Sequence, residues 1–181
     1  MINVLSLGHS NIGWDEFHYA LDQFDVGCVI DVRSSPRSRW QHFNKPQLRV
    51  RLNRVGIAYV HLGDDLGGIP TSGPTDYAAR HRTSAFATGI ERVLGIAARC
   101  TPALLCSERD PLHCHRFLLI SRHLHSLPDV RVAHIRHNGT LECHDAAEER
   151  LLALHKLSGD LLSDRSQRLA DAYARQERKL G

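Results

Sequence analysis

The sequence has no apolar run approaching the roughly 20 residues that span a bilayer, which excludes a membrane-spanning helix and argues against a membrane partner. Met1 to Asn11 lacks the basic stretch, apolar core and small-residue cleavage site of a signal peptide, so export is not expected and a cytoplasmic setting is. Neither a P-loop nor a G-x-G-x-x-G signature occurs, which argues against ordinary ATP hydrolysis and nicotinamide chemistry, and no cofactor is assigned. Internal repeats and low-complexity linkers are also missing. The five cysteines, Cys28, Cys100, Cys106, Cys114 and Cys143, form an odd, scattered set and are expected to be reduced thiols.

What is present is 181 residues, 24% charged and 42% hydrophobic, enough for one globular domain with a substantial core. Asn3 to Leu7 is a short β-compatible run, and Trp14, Phe17, Leu21 and Phe24 then recur at helical spacing. The same β-then-α order repeats. Cys28 to Val32 precedes a helix from about Pro46 to Val55, and Ile57 to Leu62 precedes a long loop from Gly63 to about Thr83 and a helix from Ala85 to Arg99. Pro102 to Cys106 precedes a helix opened by Asp110-Pro111 and running to about Leu127; Val130 to Ile135 is a fifth strand. Such alternation predicts a mainly parallel five-stranded sheet covered on both faces. Asn138-Gly139 reads as a tight turn into a short antiparallel edge strand near Thr140 to Cys143. Residues 1–144 are therefore assigned to the α/β domain and 145–181 to a helical extension. Its stripe of Leu162, Leu169, Tyr173 and Leu180 would pack on the parent domain or on a second copy in a homodimer.

Connections into the strands are short and bland, whereas those leaving them are polar, glycine-bearing or arginine-bearing. They include Gly8-His9-Ser10-Asn11, the loop from Arg33 to Arg39, Gly63 to Gly68, and Ser107 to Asp110. Open parallel sheets bind ligands at the carboxyl ends of their strands, so these loops predict one shared pocket. The segment from Arg33 to Arg54 carries seven basic residues and no Asp or Glu, with Trp40, His42 and Phe43 among them, a composition suited to phosphate and base contact. Arg33 and Arg37, at the strand exit, are the candidates for holding an anion. Leu105 to Arg116 is the densest reactive stretch, and Asp110 as N-cap with Pro111 at the first helical position would put Cys114 near a helix N-terminus, where a thiolate is favoured. Cys106, at a strand exit, competes for the nucleophile's role. His113-Cys114-His115 also raises a metal site, but seven residues separate Cys106 from Cys114, and neighbours on a helix point apart. No metal ligand is assigned.

Gly8-His9-Ser10, Asp31-Val32-Arg33 with Pro36 and Ser38, Leu66-Gly67-Gly68, and Cys106 with Glu108-Arg109, Pro111 and Cys114-His115-Arg116 together resemble the domain-of-unknown-function family DUF488, over roughly Met1 to Ile135. The resemblance implies a single Rossmann-like three-layer α/β domain with these motifs gathered at one end of the sheet. Carried over by position, the motif residues include His9, Ser10, Asp31, Arg33, Ser38, Gly67, Gly68, Cys106, Glu108, Arg109, Cys114, His115 and Arg116. It implies little chemistry.

The function expected is an enzyme of hydrolysis or group transfer acting on a phosphate-bearing partner, either a nucleotide-like small molecule or nucleic acid. Its catalytic groups would be Cys114, Cys106, Glu108, His115, Asp31 and His9. Ser10, Arg33, Arg37, Ser38, Gly67, Gly68, Arg109 and Arg116 would bind substrate. A non-catalytic nucleic-acid-binding module is the alternative from another class. Rhodanese-like sulfur transfer is the second enzymatic one, though Glu108, Asp110 and Pro111 stand where a cradle of free backbone N–H groups would be wanted.

Overall fold

A computed structural model describes residues 1–69, 76–159 and 164–180. Strands β1 (Ile2–Gly8), β2 (Val26–Asp31), β3 (Ala58–His61), β4 (Thr101–Cys106), β5 (Val130–Ile135) and β6 (Leu141–Cys143) form one sheet in the order β3-β2-β4-β1-β5-β6. The first five run parallel, and β6 returns antiparallel along β5 with Ala133 opposite Cys143. The Asn138-Gly139 turn that reverses the chain places Gly139 at φ +78, a left-handed conformation that glycine adopts without strain.

Side chains alternate across each strand, and this alternation sorts the core into two layers. Val4, Ile30, Leu104 and Val132 face α5 (Ser84–Ala97) and the apolar turns after β4. Leu5, Leu7, Val29 and Leu105 face α1 (Trp14–Asp22) and α2 (Lys45–Arg54), where Phe17, Leu21, Leu48 and Leu52 are buried. The result is a Rossmann-like three-layer α/β domain. A third cluster joins α7 (His144–Leu154) and α8 (Arg165–Leu180) to the segment after β4, with Leu151, Leu152, Ala172 and Tyr173 against Leu112, Phe117 and Leu118. The C-terminal stripe thus covers the parent domain through Tyr173 and Leu169; Leu162 lies outside the described residues.

Two expectations are corrected. The stretch from Gly63 to Thr83 is not all loop, since α3 (Gly63–Leu66) buries Leu66 and α4 (Tyr77–Arg80) is capped by Asp76; residues 70–75 lie outside the described chain. The helix expected from Asp110 to Leu127 is broken. Asp110 accepts the Leu112 N–H and starts a 3-10 turn over Pro111–His113, but Cys114 is extended at φ −145 and ψ 142. Its carbonyl accepts from Phe117 and Leu118, opening a separate π-helical turn (Arg116–Ser121) that leads into α6 (Arg122–His125). Residues 116–121 are all buried, so the segment carries no polar stripe whose interruption would mark the break.

A polar chain crosses this packing from β1 to α8. Ser6 Oγ lies 2.7 Å from His134 Nδ1, His134 Nε2 3.2 Å from His144 Nδ1, and His144 Nε2 3.0 Å from Tyr173 Oη, whose proton goes to Glu148 at 3.1 Å. Because that phenol donates to a carboxylate, each imidazole takes one neutral tautomer and every bond in the chain runs the same way. Burial holds both histidines neutral: the pKa of His144 falls to about 3, and that of His134 well below its ordinary value.

At the end of β1, a Cβ on Gly8 would strike the Glu108 carbonyl and sit 3.0 Å from the Arg116 guanidinium that this carbonyl binds. Gly8→Ala is therefore expected to cost about 1–3 kcal/mol in urea unfolding, as overpacking does. An unchanged midpoint would mean that the loop after β4 yields freely.

Candidate functional site

Because β1, β2, β3, β4 and β5 are parallel, their C-terminal ends open onto one edge of the domain. The loop leaving β2 and the loop leaving β4 meet there around a cleft of about 760 Å³. Cys106, Cys114 and His115 lie among its lining residues, all buried, with 6%, 3% and 8% of their surface exposed. Ser34 and Ser35 of the loop after β2, Glu108 after β4, His113, and Leu154, Gln176, Lys179 and Leu180 of the C-terminal helices also line it.

At the centre, His115 Nε2 lies 3.0 Å from the Val32 carbonyl. A carbonyl only accepts, so Nε2 donates to it. Nδ1, on the other side of the ring, faces two sulfurs, Cys114 Sγ at 3.6 Å and Cys106 Sγ at 3.8 Å. The break in the chain at Cys114 makes this convergence geometrically accessible, since extended backbone at 114 followed by helical backbone at 115 brings adjacent side chains to one point. Gly68 packs against the imidazole, where a Cβ would lie 2.8 Å from Nδ1. The hydrogen bond with Cys114 holds the Cys106 thiol well below its ordinary pKa against its own desolvation, with His115 and Arg116 adding to the effect. Burial and the neighbouring Cys106 push Cys114 up.

The remaining candidates divide sharply. Arg33 borders the cleft, and four of its five N–H donors are engaged: Nε and Nη2 bind Asp31 at 2.8 and 2.6 Å, Nη2 also binds the Phe43 carbonyl, and Nη1 donates to His9 Nε2 at 3.2 Å. Asp31 is fully buried and also accepts from Tyr59 at 2.8 Å, so it orients Arg33 and has no oxygen for substrate. His9 donates through Nδ1 to the Ser10 carbonyl and stacks on Phe43 at 4.2 Å; burial first, then Arg33, lowers its pKa to about 4. It supports the site from beneath. Arg116 is buried, binds the Glu108 and Arg109 carbonyls, and shapes the loop after β4. In this arrangement Arg33, Arg116, Asp31 and His9 are bonded chiefly to one another and to the loops around the cleft.

Ser10, at φ +46, donates its N–H to the Ser107 carbonyl and ties two strand exits together. Ser38 binds Asn44 and Trp40 within its own loop, and Gly67 packs on Ser34. Arg37 is exposed beyond the cleft wall, and Arg109 lines a neighbouring hollow with Asp110 and Arg136. Phe43 is core and unavailable for stacking on a base; Trp40 is exposed, with Arg39 over its ring at 5.4 Å. Sequence reasoning missed the Val32 carbonyl, a backbone atom without a signature. It also missed Lys179, Gln176 and Leu154, whose only signal is the amphipathic patterning of helices remote from the motifs.

The fold and site define a three-layer α/β domain with a cysteine–imidazole centre at the carboxyl edge of its sheet. The chain belongs to the DUF488 family, a domain of unknown function whose family pattern matches residues 13–123. That span holds Asp31, Arg33, the 63–68 turn and the whole Cys106 to Arg116 stretch, while His9 and Ser10 precede it. Neither the curated proteins nor the solved structures include a match. No helix among the described residues is long and apolar enough to cross a membrane.

Proposed function

We propose that this chain is an enzyme of hydrolysis or group transfer, acting on a phosphate-bearing substrate in the cleft above β2 and β4. Cys106, Cys114 and His115 form its reacting centre, and Glu108 is an acid/base group on the rim. The observation that carries the reading is the convergence of two sulfurs and one imidazole nitrogen in a cleft large enough for a small ligand. Support for an anionic substrate comes from Lys179 in the wall and from the acid-free segment that supplies Ser34 and Ser35 and continues to the exposed Arg37 and Arg39. Sulfur transfer is less well served. Among the described residues the backbone N–H that reaches a sulfur is that of Arg116, and it reaches Cys114, so nothing cradles a persulfide on Cys106.

The test is a turnover screen of the purified chain against nucleotides, sugar phosphates, phosphodiesters and short oligonucleotides. At least one phosphate-bearing class is expected to turn over, with the rate falling about 100-fold or more in both Cys106→Ala and Glu108→Gln. Full turnover in a folded Cys106→Ala variant would overturn the reading. So would binding of oligonucleotides alone, steeply salt-dependent and indifferent to Cys106, which would favour a non-catalytic module.

A further inference from the structure

We propose that Cys106, Cys114 and His115 bind a thiophilic divalent cation of the zinc class, leaving its fourth position open to the cleft. The assignment goes beyond the enzymatic reading and does not depend on it, since it stands on coordination geometry.

Zinc in a tetrahedral site lies about 2.3 Å from sulfur and about 2.0–2.1 Å from nitrogen, so ligand nitrogen and sulfur must lie about 3.5–3.6 Å apart and two sulfurs about 3.8 Å apart. The imidazole Nδ1 lies 3.6 Å from one sulfur and 3.8 Å from the other, and the three ligand atoms all fall within 4.8 Å of one another. Both nitrogen–sulfur distances thus match the tetrahedral spacing to within a few tenths of an ångström. As hydrogen bonding, the same arrangement is poor, because a single Nδ1 faces two sulfurs and can bond well to only one of them. The ring is also held as metal-binding histidines are held. Its far nitrogen donates to the Val32 carbonyl, which fixes both tautomer and orientation.

Gly68 leaves open the side of the ring that a Cβ would fill, 2.8 Å from Nδ1. Charge balance favours the same assignment. Two adjacent buried thiolates repel, whereas a divalent cation with two thiolates and a neutral imidazole is a neutral unit, formed as the two thiol protons leave to solvent. The spacing that argued against zinc from the sequence loses its force, because Cys114 and His115 are not successive residues of one helix. Three protein ligands facing a cleft give the coordination of a catalytic ion, where a structural site would be closed by a fourth.

The experiment uses the full chain, reduced with a phosphine, stripped with a chelator and titrated with Co²⁺ without oxygen. One equivalent is expected to bind, with the d–d bands of a tetrahedral ion and thiolate-to-cobalt charge transfer, and to be displaced by Zn²⁺. Cys106→Ala, Cys114→Ala and His115→Ala are each expected to weaken binding at least about 100-fold, the upper part of the range seen for losing even a supporting group around a metal. Cys100→Ala and His123→Ala should leave it unchanged. X-ray absorption of the zinc-loaded wild type counts the ligands without any variant, and two sulfurs at about 2.3 Å are expected. A folded, reduced wild type without cobalt bands would overturn the proposal, as would bands that survive Cys106→Ala, or a first shell without sulfur. Cobalt bands in a chain that turns over nothing would leave the metal site standing and remove only the enzymatic reading.

Discussion

Replacing Arg33 by methionine is expected to destabilise the protein by about 3–5 kcal/mol, the usual cost of deserting one partner of a buried ion pair. Arg33 and Asp31 retain 3% and 0% of their side-chain exposure, and the guanidinium fork meets the carboxylate through two donors. With Arg33 gone, Asp31 keeps only the Tyr59 hydroxyl as a side-chain partner, and the Phe43 carbonyl and His9 Nε2 each lose a donor. For a chain of this size the loss corresponds to a drop of about 10 °C in melting temperature. Asp31→Asn combined with Arg33→Met should cost less than the sum of the two single changes, with a coupling of about 2 kcal/mol in a double-mutant cycle. Urea midpoints decide the matter. A loss below about 1 kcal/mol for Arg33→Met would mean that the guanidinium is free to leave Asp31, and would restore its candidacy as an anion-binding group.

Stability is expected to decline steeply as pH falls below about 6.5, through the histidines of the buried polar chain. In the unfolded state an imidazole takes up its proton near pH 6.5. In the fold His144 does so only at about 3, and His134 is likewise held well below its ordinary range. Between these limits the unfolded chain binds more protons, so acidification favours it. The stabilisation is complete above the unfolded value and is lost progressively below it, at about 1.4 kcal/mol per pH unit for each histidine. His9 and His123, whose values burial also lowers, add to the slope. Comparison with His144→Gln therefore isolates one share: the slope between pH 6 and 5 should drop by about 1.4 kcal/mol per unit. Identical slopes for wild type and variant would show that His144 is not held neutral by the fold. The groups that enforce neutrality, after desolvation, are His125 and Arg122 beside His144 and, at His134, the His144 ring, which disfavours a second charge beside it, with Arg116, Arg150 and Arg136.

Much of the architecture was legible because parallel sheets impose simple patterns. Buried strands such as 28–32 and 102–106 are apolar on both faces, the helices between them carry their own periodicity, and the polar loops all fall on one side of the strands. The site was legible as a neighbourhood, but the contacts among its residues were not. Arg33 looked like an anion receptor, yet Asp31 stands two residues earlier on an extended chain, on the same face, and takes the charge first. Cys114 looked like a helical residue because Asp110 and Pro111 are sound start signals, and those signals do start a turn. It ends after one cycle, since nothing in the apolar run from 117 to 120 records where the next helix begins. The contribution of α8 was invisible for another reason. Gln176 and Lys179 reach the cleft through tertiary packing of Tyr173 and Ala172, and no local pattern encodes that.

The strand order has a temporal consequence. β1 pairs only with strands made much later, Leu5 with Ala103 and Asn3 with Arg131, and β4 occupies the slot between β1 and β2. During synthesis the first hundred residues therefore hold two central strands with a gap between them, while β2 and β3 can pair as neighbours. Such long-range parallel pairing is slow, because chain closure must come before the contacts that stabilise it. Cys106 sits at the end of the strand that fills the gap, and Cys114 and His115 follow it directly. His115 meets the Val32 carbonyl only when β4 lies beside β2, so that bond in a refolding chain would time the closing of the gap.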